Sequence, residues 1–340
     1  MITLIDILNS YRQNPPVNVP PKTSTGFYPS AASVEYIDPD TGVSVVSGEC
    51  LRKTFYYKMG YPSAGVTDAR RSRIMEMGNL ISNMIVDDAK RAGVYIADEL
   101  PFTDTDNNIS GRVDLIVKDP FSCPNTLDRP SPEHLILIEI KSMGGYYNVK
   151  GPMVSTKDTP LRPKMDHLLQ IMVYANYYRK YGVQKYILLY VNRENMDIVT
   201  HNISINDNGN PVISNDEGVT TLPYITLDNI ISRYKKLSFY ISKNELPPRD
   251  YSIQWSNTRI IRELNASNLN KTETEIVKKK VQALGAITND IAPVLQKGDW
   301  QCQYCEFSQT CWSNDPKSKE KPVQVTQEEQ QEPDLDIGLV

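Results

Sequence analysis

No run of about 18 apolar residues occurs in this 340-residue chain, which argues against an ordinary membrane-spanning helix. The opening Met1-Ile2-Thr3-Leu4-Ile5-Asp6 lacks the basic start and long apolar stretch of a secretory signal. The cytoplasm of the producing or host cell is therefore the expected compartment. A basic excess is also missing: Lys and Arg number 37 against 41 Asp and Glu, for a net charge of −4 and a pI near 5.6. That balance does not advertise a nucleic-acid binder, although a local basic track would suffice for one. Such groups exist at Arg52, Lys53 and Lys58, at Arg70, Arg71 and Arg73, and at Lys278, Lys279 and Lys280. Taken singly, each reads first as a solvated helix face. An even cysteine count is absent, and five cysteines argue against a disulfide framework. No internal repeat is visible. The chain is 40% hydrophobic and 23% charged, as a soluble globular protein should be, and long enough for one large domain or two small ones.

The pattern along the chain predicts a short helix over 3–13, then a connector over 14–35 that holds Pro15, Pro16, Pro20, Pro21 and Pro29. A long helix is expected over 68–92, with Ile74, Met77, Ile81, Met84 and Ile85 forming one apolar stripe against the core. Strands follow at 94–102, 110–118 and 134–141. Gly144, Gly145 and Pro152 mark a mobile loop. A second strong helix spans 164–181, strands return at 185–192 and 196–205, and helices at 226–243, 257–265 and 272–285. Beyond Asp315 the sequence is rich in Lys, Glu, Gln and Pro and reads as disordered. Helix, three strands, helix and further strands imply an α/β core with a mixed central sheet flanked by helices. The expected organisation is a helix and connector over 1–35, the main domain over 36–290, a cysteine-bearing segment over 291–314, and a tail over 315–340.

The chemistry centres on Gly111-Arg112-Val113-Asp114 and, 25 residues on from Asp114, Glu139-Ile140-Lys141. Each lies at an apolar run, Leu115-Ile116-Val117 and Leu135-Ile136-Leu137-Ile138. On a strand, Glu139 and Lys141 share a face. Two carboxylates at adjacent strand ends suit a hard cation such as magnesium or manganese, with the Ile140 carbonyl as a further oxygen. A lysine beside them can steady developing negative charge. An isolated Glu-x-Lys is usually just a solvated strand end. Here the following helix adds His167, Gln170 and Tyr174 on one face, and the preceding helix holds Gly78, whose cost of about 1 kcal/mol asks for a packing reason. Glu99 is a weaker acidic candidate, with a solvated strand end as its simpler reading. Cys302, Cys305 and Cys311 lie within ten residues, and Cys50 stands far upstream. Four thiolates suit iron–sulfur or zinc equally by softness. Cys123 fits neither scheme.

This set resembles the RecB-like branch of the PD-(D/E)XK nuclease superfamily, and within it is similar to the CRISPR-adaptation exonuclease and its phage-encoded relatives. The likeness covers roughly 30–312. It implies a restriction-endonuclease-like core closed by the cysteine segment. It implies metal ligation by Asp114 and Glu139, the motif lysine at Lys141, and a Q-x-x-x-Y helix at Gln170 and Tyr174. It further implies a 4Fe-4S cluster on Cys50, Cys302, Cys305 and Cys311, with structural zinc as the alternative. The activity so implied is metal-dependent DNA exonuclease chemistry in a bacterial or phage-infected cell, on DNA ends or single strands. Possible partners would be a helicase, recombination or CRISPR-adaptation protein. A non-catalytic DNA-binding scaffold subunit is the competing class. One departure stands out: the family's helix histidine in G-x-x-x-H is replaced in Gly78-Asn79-Leu80-Ile81-Ser82 by Ser82. His167 sits where it could meet a DNA phosphate. Phe55, Tyr56 and Tyr57 beside Arg52 and Lys53 could stack bases, though core packing is the commoner fate of such a run.

Overall fold

The computed structural model describes residues 26–63, 69–122, 130–157, 159–284 and 297–313, together with Ile5, Asn9, Arg12 and Leu295. Cys123, the tail over 315–340 and most of the expected first helix lie outside the described residues. The fold is mixed α/β. A seven-stranded sheet runs β3 (Tyr95–Asp104), β4 (Ile109–Lys118), β5 (Leu135–Met143), β6 (Lys185–Asn192), β7 (Ile198–Ile205), β8 (Pro211–Asn215) and β9 (Gly218–Thr221), in that spatial order. Every neighbouring pair is antiparallel except β5 and β6. A parallel pair needs a crossover, and the crossing element here is α4 (Met165–Tyr178), reached through the four-residue α3 (Tyr146–Val149). A separate hairpin, β1 (Ser33–Ile37) with β2 (Ser44–Gly48), precedes α1 (Leu51–Lys58).

The sheet separates two apolar layers. On one face α2 (Ala69–Arg91) lays Ile81, Ile85, Val86 and Ala89 over Leu115, Val117, Ile138 and Ile140. On the other, α4 is buried without a break from Leu168 to Ala175. A helix apolar all round must be covered on both sides, and it is: the sheet lies beneath it, with the β1–β2 hairpin and α5 (Leu227–Lys243) packed around it. Local chemistry sets the ends of α5. Thr226 accepts from the Asn229 N–H at the start, and Asn244 takes a left-handed conformation at the end. The remaining helices are α6 (Asn257–Asn265), α7 (Lys271–Leu284), α8 (Trp300–Gln303) and α9 (Ser308–Ser313). No described helix is long and apolar enough to cross a membrane.

Several expectations need correction. Ile81 and Ile85 are core as expected, but Ile74 and Met77 are exposed; the α2 residues buried on the sheet are Ile81, Ile85, Val86 and Ala89. The loop after β5 is pinned rather than mobile: Val149 and Met153 sit in the core, and His201 holds the Pro152 carbonyl at 2.8 Å. That bond also fixes the tautomer. A carbonyl only accepts, so His201 Nε2 carries the proton and Nδ1 faces Asn215 Nδ2 at 3.3 Å. Within the proline-rich stretch, Phe27 is buried against Tyr234. Gly111 owes its identity to this packing, since a Cβ there would lie 2.7 Å from the Pro29 ring. Gly78 has no such constraint. A Cβ would meet Ser142 Oγ at 3.4 Å, an ordinary contact.

Candidate active site and cysteine cavity

The ladder between β4 and β5 stops at Leu115 opposite Ile138. The next register position would pair Asp114 with Glu139. There the strands part, and the Asp114 side chain fills the break: its Oδ2 accepts the Ile140 N–H at 2.8 Å. Two carboxylates thus face each other where the sheet opens. Like charges directly opposite are unfavourable, so something must compensate. Lys141, two residues along the same strand, places Nζ 2.6 Å from Glu139 Oε1.

The crossover helix completes the arrangement. Gln170 donates from Nε2 to Glu139 Oε1 at 2.7 Å and accepts from Lys141 Nζ at 2.9 Å. Its second amide hydrogen goes to the Tyr174 hydroxyl at 3.1 Å, and Tyr174 donates to the Arg112 carbonyl at 3.0 Å. Every polar atom of the Gln170 amide is engaged, which sets its orientation by its partners. The Gln170–Tyr174 pair, one turn apart, ties the catalytic-candidate strand β5 to β4 two residues before Asp114.

Charge balance in the site is set by burial. Burial and the Glu139 charge push the Asp114 carboxyl up to about 7, against the Ile140 N–H and Lys141, which hold it down; Glu99 adds to the rise. Burial alone would lower the Lys141 ammonium, but Glu139, Asp114 and Asp166 outweigh it and raise it, so Lys141 stays charged. Burial raises the Tyr174 phenol, which stays neutral. Glu139 is 2% exposed, and its second oxygen, Oε2, is buried with no hydrogen-bond partner among the described residues. A buried, unpartnered carboxylate oxygen is costly, and a cation is the ligand that relieves it. The donor set of Asp114 and Glu139 therefore fits a hard cation, with all ligands oxygen.

The sequence candidates converge unevenly. Asp114, Glu139, Lys141, Gln170 and Tyr174 come together. Ile140 contributes its N–H to Asp114. Ser82 lies on α2, across the sheet from the α4 side, while the hydrogen bonds of Asp114, Glu139 and Lys141 run to Ile140, Gln170 and one another. Glu99 is not a strand end. It sits inside β3 opposite Asp114, in a left-handed conformation (φ 48°) that interrupts the pairing, and binds Arg112 at 2.6 Å. His167 is not poised for a phosphate: burial pushes it down to about 4 and leaves it neutral, with Nδ1 3.0 Å from the Tyr190 hydroxyl. That hydroxyl also accepts the Lys164 N–H at 3.2 Å. Phe55 and Tyr56 are core, and Tyr57 alone of that run is exposed. What sequence reasoning missed is Tyr146 and Tyr147 at the end of β5, both strongly exposed. Two aromatics directly after Gly144-Gly145 were the available signal.

The neutrality of His167 has a measurable consequence. Its folded value lies below the ordinary 6.5, so the unfolded chain binds the extra proton first. The stabilisation is complete above pH 6.5 and is lost as pH falls towards 4. The groups facing the ring are Asp166, Lys164, Lys141 and Tyr190. The urea midpoint of wild type should drop over this window by an amount equivalent to about 3 kcal/mol more than that of His167→Gln.

A cavity elsewhere in the fold is lined by Cys50, Cys302, Cys305 and Cys311 with Arg52, Lys53, Arg249 and Phe307. Cys50 caps α1, Cys302 lies on α8 and Cys311 on α9, so both flanks of the fold contribute. The thiols are free. Burial pushes Cys50 and Cys302 up to about 12 and raises Cys305. Among the described residues no three His, Cys, Asp or Glu side chains form a metal-binding group; the thiols share a cavity without converging on a point. Four soft donors with Arg52, Lys53 and Arg249 around them still fit an anionic thiolate-bound centre in donor chemistry.

No family model matches the chain, and no curated protein matches it. A solved structure described as "Crystal structure of SSO0001" is similar at 14% identity and a TM-score of 0.36, over 72% of this chain and 88% of that one.

Proposed function

We propose that this chain is a metal-dependent DNA nuclease with a PD-(D/E)XK-type core, hydrolysing phosphodiesters at ends or in single strands. The observation that carries the reading is the buried Glu139 carboxylate with one unpartnered oxygen, directly opposite Asp114 and beside Lys141. Asp114 and Glu139 would hold Mg2+ or Mn2+, with the Ile140 carbonyl as an added oxygen. Such a cation, when bound, supplies Lewis acidity to a phosphoryl oxygen and acidifies a water.

The chain's own residues do the rest. Lys141 places a fixed positive charge beside the carboxylates, where negative charge develops on the phosphoryl group. Gln170 holds Lys141 and Glu139 in register, and Tyr174 fixes Gln170. Cys50, Cys302, Cys305 and Cys311 would hold a 4Fe-4S cluster, or zinc in its place, as a clasp rather than a reactant. A helicase, recombination or CRISPR-adaptation protein fits as partner, in a bacterial or phage-infected cytoplasm.

The test uses full-length protein purified without oxygen, end-labelled single- and double-stranded DNA, and Mn2+ or Mg2+. Wild type cleaves, and Glu139→Gln does not, with the same circular dichroism spectrum. Absence of cleavage by folded, metal-supplied wild type would sink the nuclease. A second reading, a DNA-binding subunit that keeps the fold without the chemistry, draws on Ser82 standing where the family has histidine. It requires DNA binding by wild type with no cleavage under any divalent cation.

A further inference from the structure

The strand that carries Glu139 and Lys141 leads directly to another feature. β5 ends at Met143, opposite Asn192 of β6. Gly144 and Gly145 then turn the chain, with Gly145 at φ 85°, and α3 opens with two tyrosines. Tyr146 is 65% exposed and Tyr147 80% exposed. Their rings meet edge to face, with centroids 5.4 Å apart. Rings this exposed leave most of their apolar area in water, so they contribute little to the core. From Glu139 to Met143, where the strand ends, the chain rises roughly 13 Å.

Cations surround the pair. Lys150 Nζ lies 4.1 Å from the Tyr146 centroid and 5.6 Å from that of Tyr147. Lys164 donates to Asn148 Oδ1, within α3, at 3.3 Å. The Arg193 guanidinium lies so close to Gly144 that a Cβ there would stand 3.1 Å from it. Lys164 and Lys141 both lie within electrostatic reach of His167, with Asp166 of opposite sign beside them. The base beneath is firm: the Gly145 N–H donates to Glu194 Oε1 at 2.7 Å, Val149 is core, and His201 pins Pro152.

We propose that Tyr146 and Tyr147, with Lys150, form a stacking platform for unpaired bases of the nucleic-acid strand whose phosphodiester lies at Asp114 and Glu139. The proposal rests on the nuclease reading and deepens it by naming single-stranded substrate. Every base has a face that an aromatic ring can stack on, and the cations meet the backbone. In a duplex those faces are already taken by neighbouring base pairs, so the platform favours single strands or frayed ends.

Fluorescence anisotropy of the full chain in EDTA, with fluorescein-labelled thymidine 30-mers and a matched duplex, separates the outcomes. Tyr146→Ala/Tyr147→Ala should lower single-strand affinity about a hundredfold and leave duplex affinity within about threefold. Tyr146→Phe/Tyr147→Phe, which keeps both rings, should restore it. With 2-aminopurine in the single strand, wild type and the Phe variant should quench the probe on binding and the Ala variant should not. Unchanged single-strand binding and quenching in the Ala variant would overturn the platform while leaving the nuclease intact. Wild type that binds neither form of DNA would overturn both. A shift in the variant's sedimentation from dimer to monomer, with DNA binding unchanged, would assign the rings to a protein contact instead.

Discussion

On the proposed reading, Lys141→Met should leave a folded protein that binds Mn2+ at least as well as wild type and cleaves DNA about 10²–10³-fold more slowly. The two halves of this result have separate causes. In the resting site Lys141 occupies Glu139 Oε1 at 2.6 Å and competes with any incoming cation for that carboxylate. Methionine fills a similar volume without the charge, so Asp114 and Glu139 hold a divalent ion more readily. The fixed charge at the phosphoryl group is lost, and with it the preorganised stabilisation of the transition state. Isothermal titration of Mn2+ and single-turnover cleavage measure the two effects independently. Loss of both would mean that Lys141 acts only by holding the site together.

Asp250→Ala should lower stability by about 3–5 kcal/mol. Asp250 and Arg233 are almost fully buried, 2.6 Å apart. Arg233 also reaches Ser33 Oγ at 3.1 Å, and Asp250 Oδ2 accepts the Leu51 N–H at 2.7 Å. That last bond matters because the α1 N-cap, Cys50, makes no side-chain capping bond; a distant carboxylate meets one of the helix's unsatisfied donors instead. Removing it leaves the buried guanidinium with Ser33 and the more distant Glu35 carboxylate at 3.8 Å. The guanidinium chloride midpoint should fall with an unchanged slope; on the proposed reading of the cysteines, iron or zinc bound per chain should fall too as Cys50 loses its mooring. The double replacement Arg233→Met/Asp250→Leu, which removes both charges, should recover most of the stability and little of the metal.

Much of the site was legible because its chemistry follows simple periods. Glu139 and Lys141 are two apart on a strand, and Gln170 and Tyr174 four apart on a helix, so local geometry alone aligns each pair. The mixed sheet followed from the alternation of apolar runs. What escaped depends on the tertiary arrangement. Nothing in the sequence says that β4 and β5 part at Asp114, or that Glu99 breaks β3 opposite it. Ile74 and Phe55 are both apolar, but one is exposed and the other is buried against Tyr56 and Tyr61. His167 shares its helix face with Gln170, and only its burial in the folded chain keeps it neutral beside Tyr190. The short strands β8 and β9 and the β1–β2 hairpin carry too few apolar residues to declare themselves.

The bonds that fasten α1 join residues far apart in the chain: Leu51 to Asp250, Arg52 to the Pro247 carbonyl and Arg52 to Cys311 span 199, 195 and 259 positions. Closing loops of that length costs entropy before any contact returns it, so such pairings tend to form late. The carboxylate site instead draws on Asp114, Glu139 and Gln170, within 56 positions of one another. On refolding, the carboxylate site should be assembled first and the four thiols brought together afterwards. The cysteine cavity is then a late-formed feature, complete only in chains whose two flanks have already met.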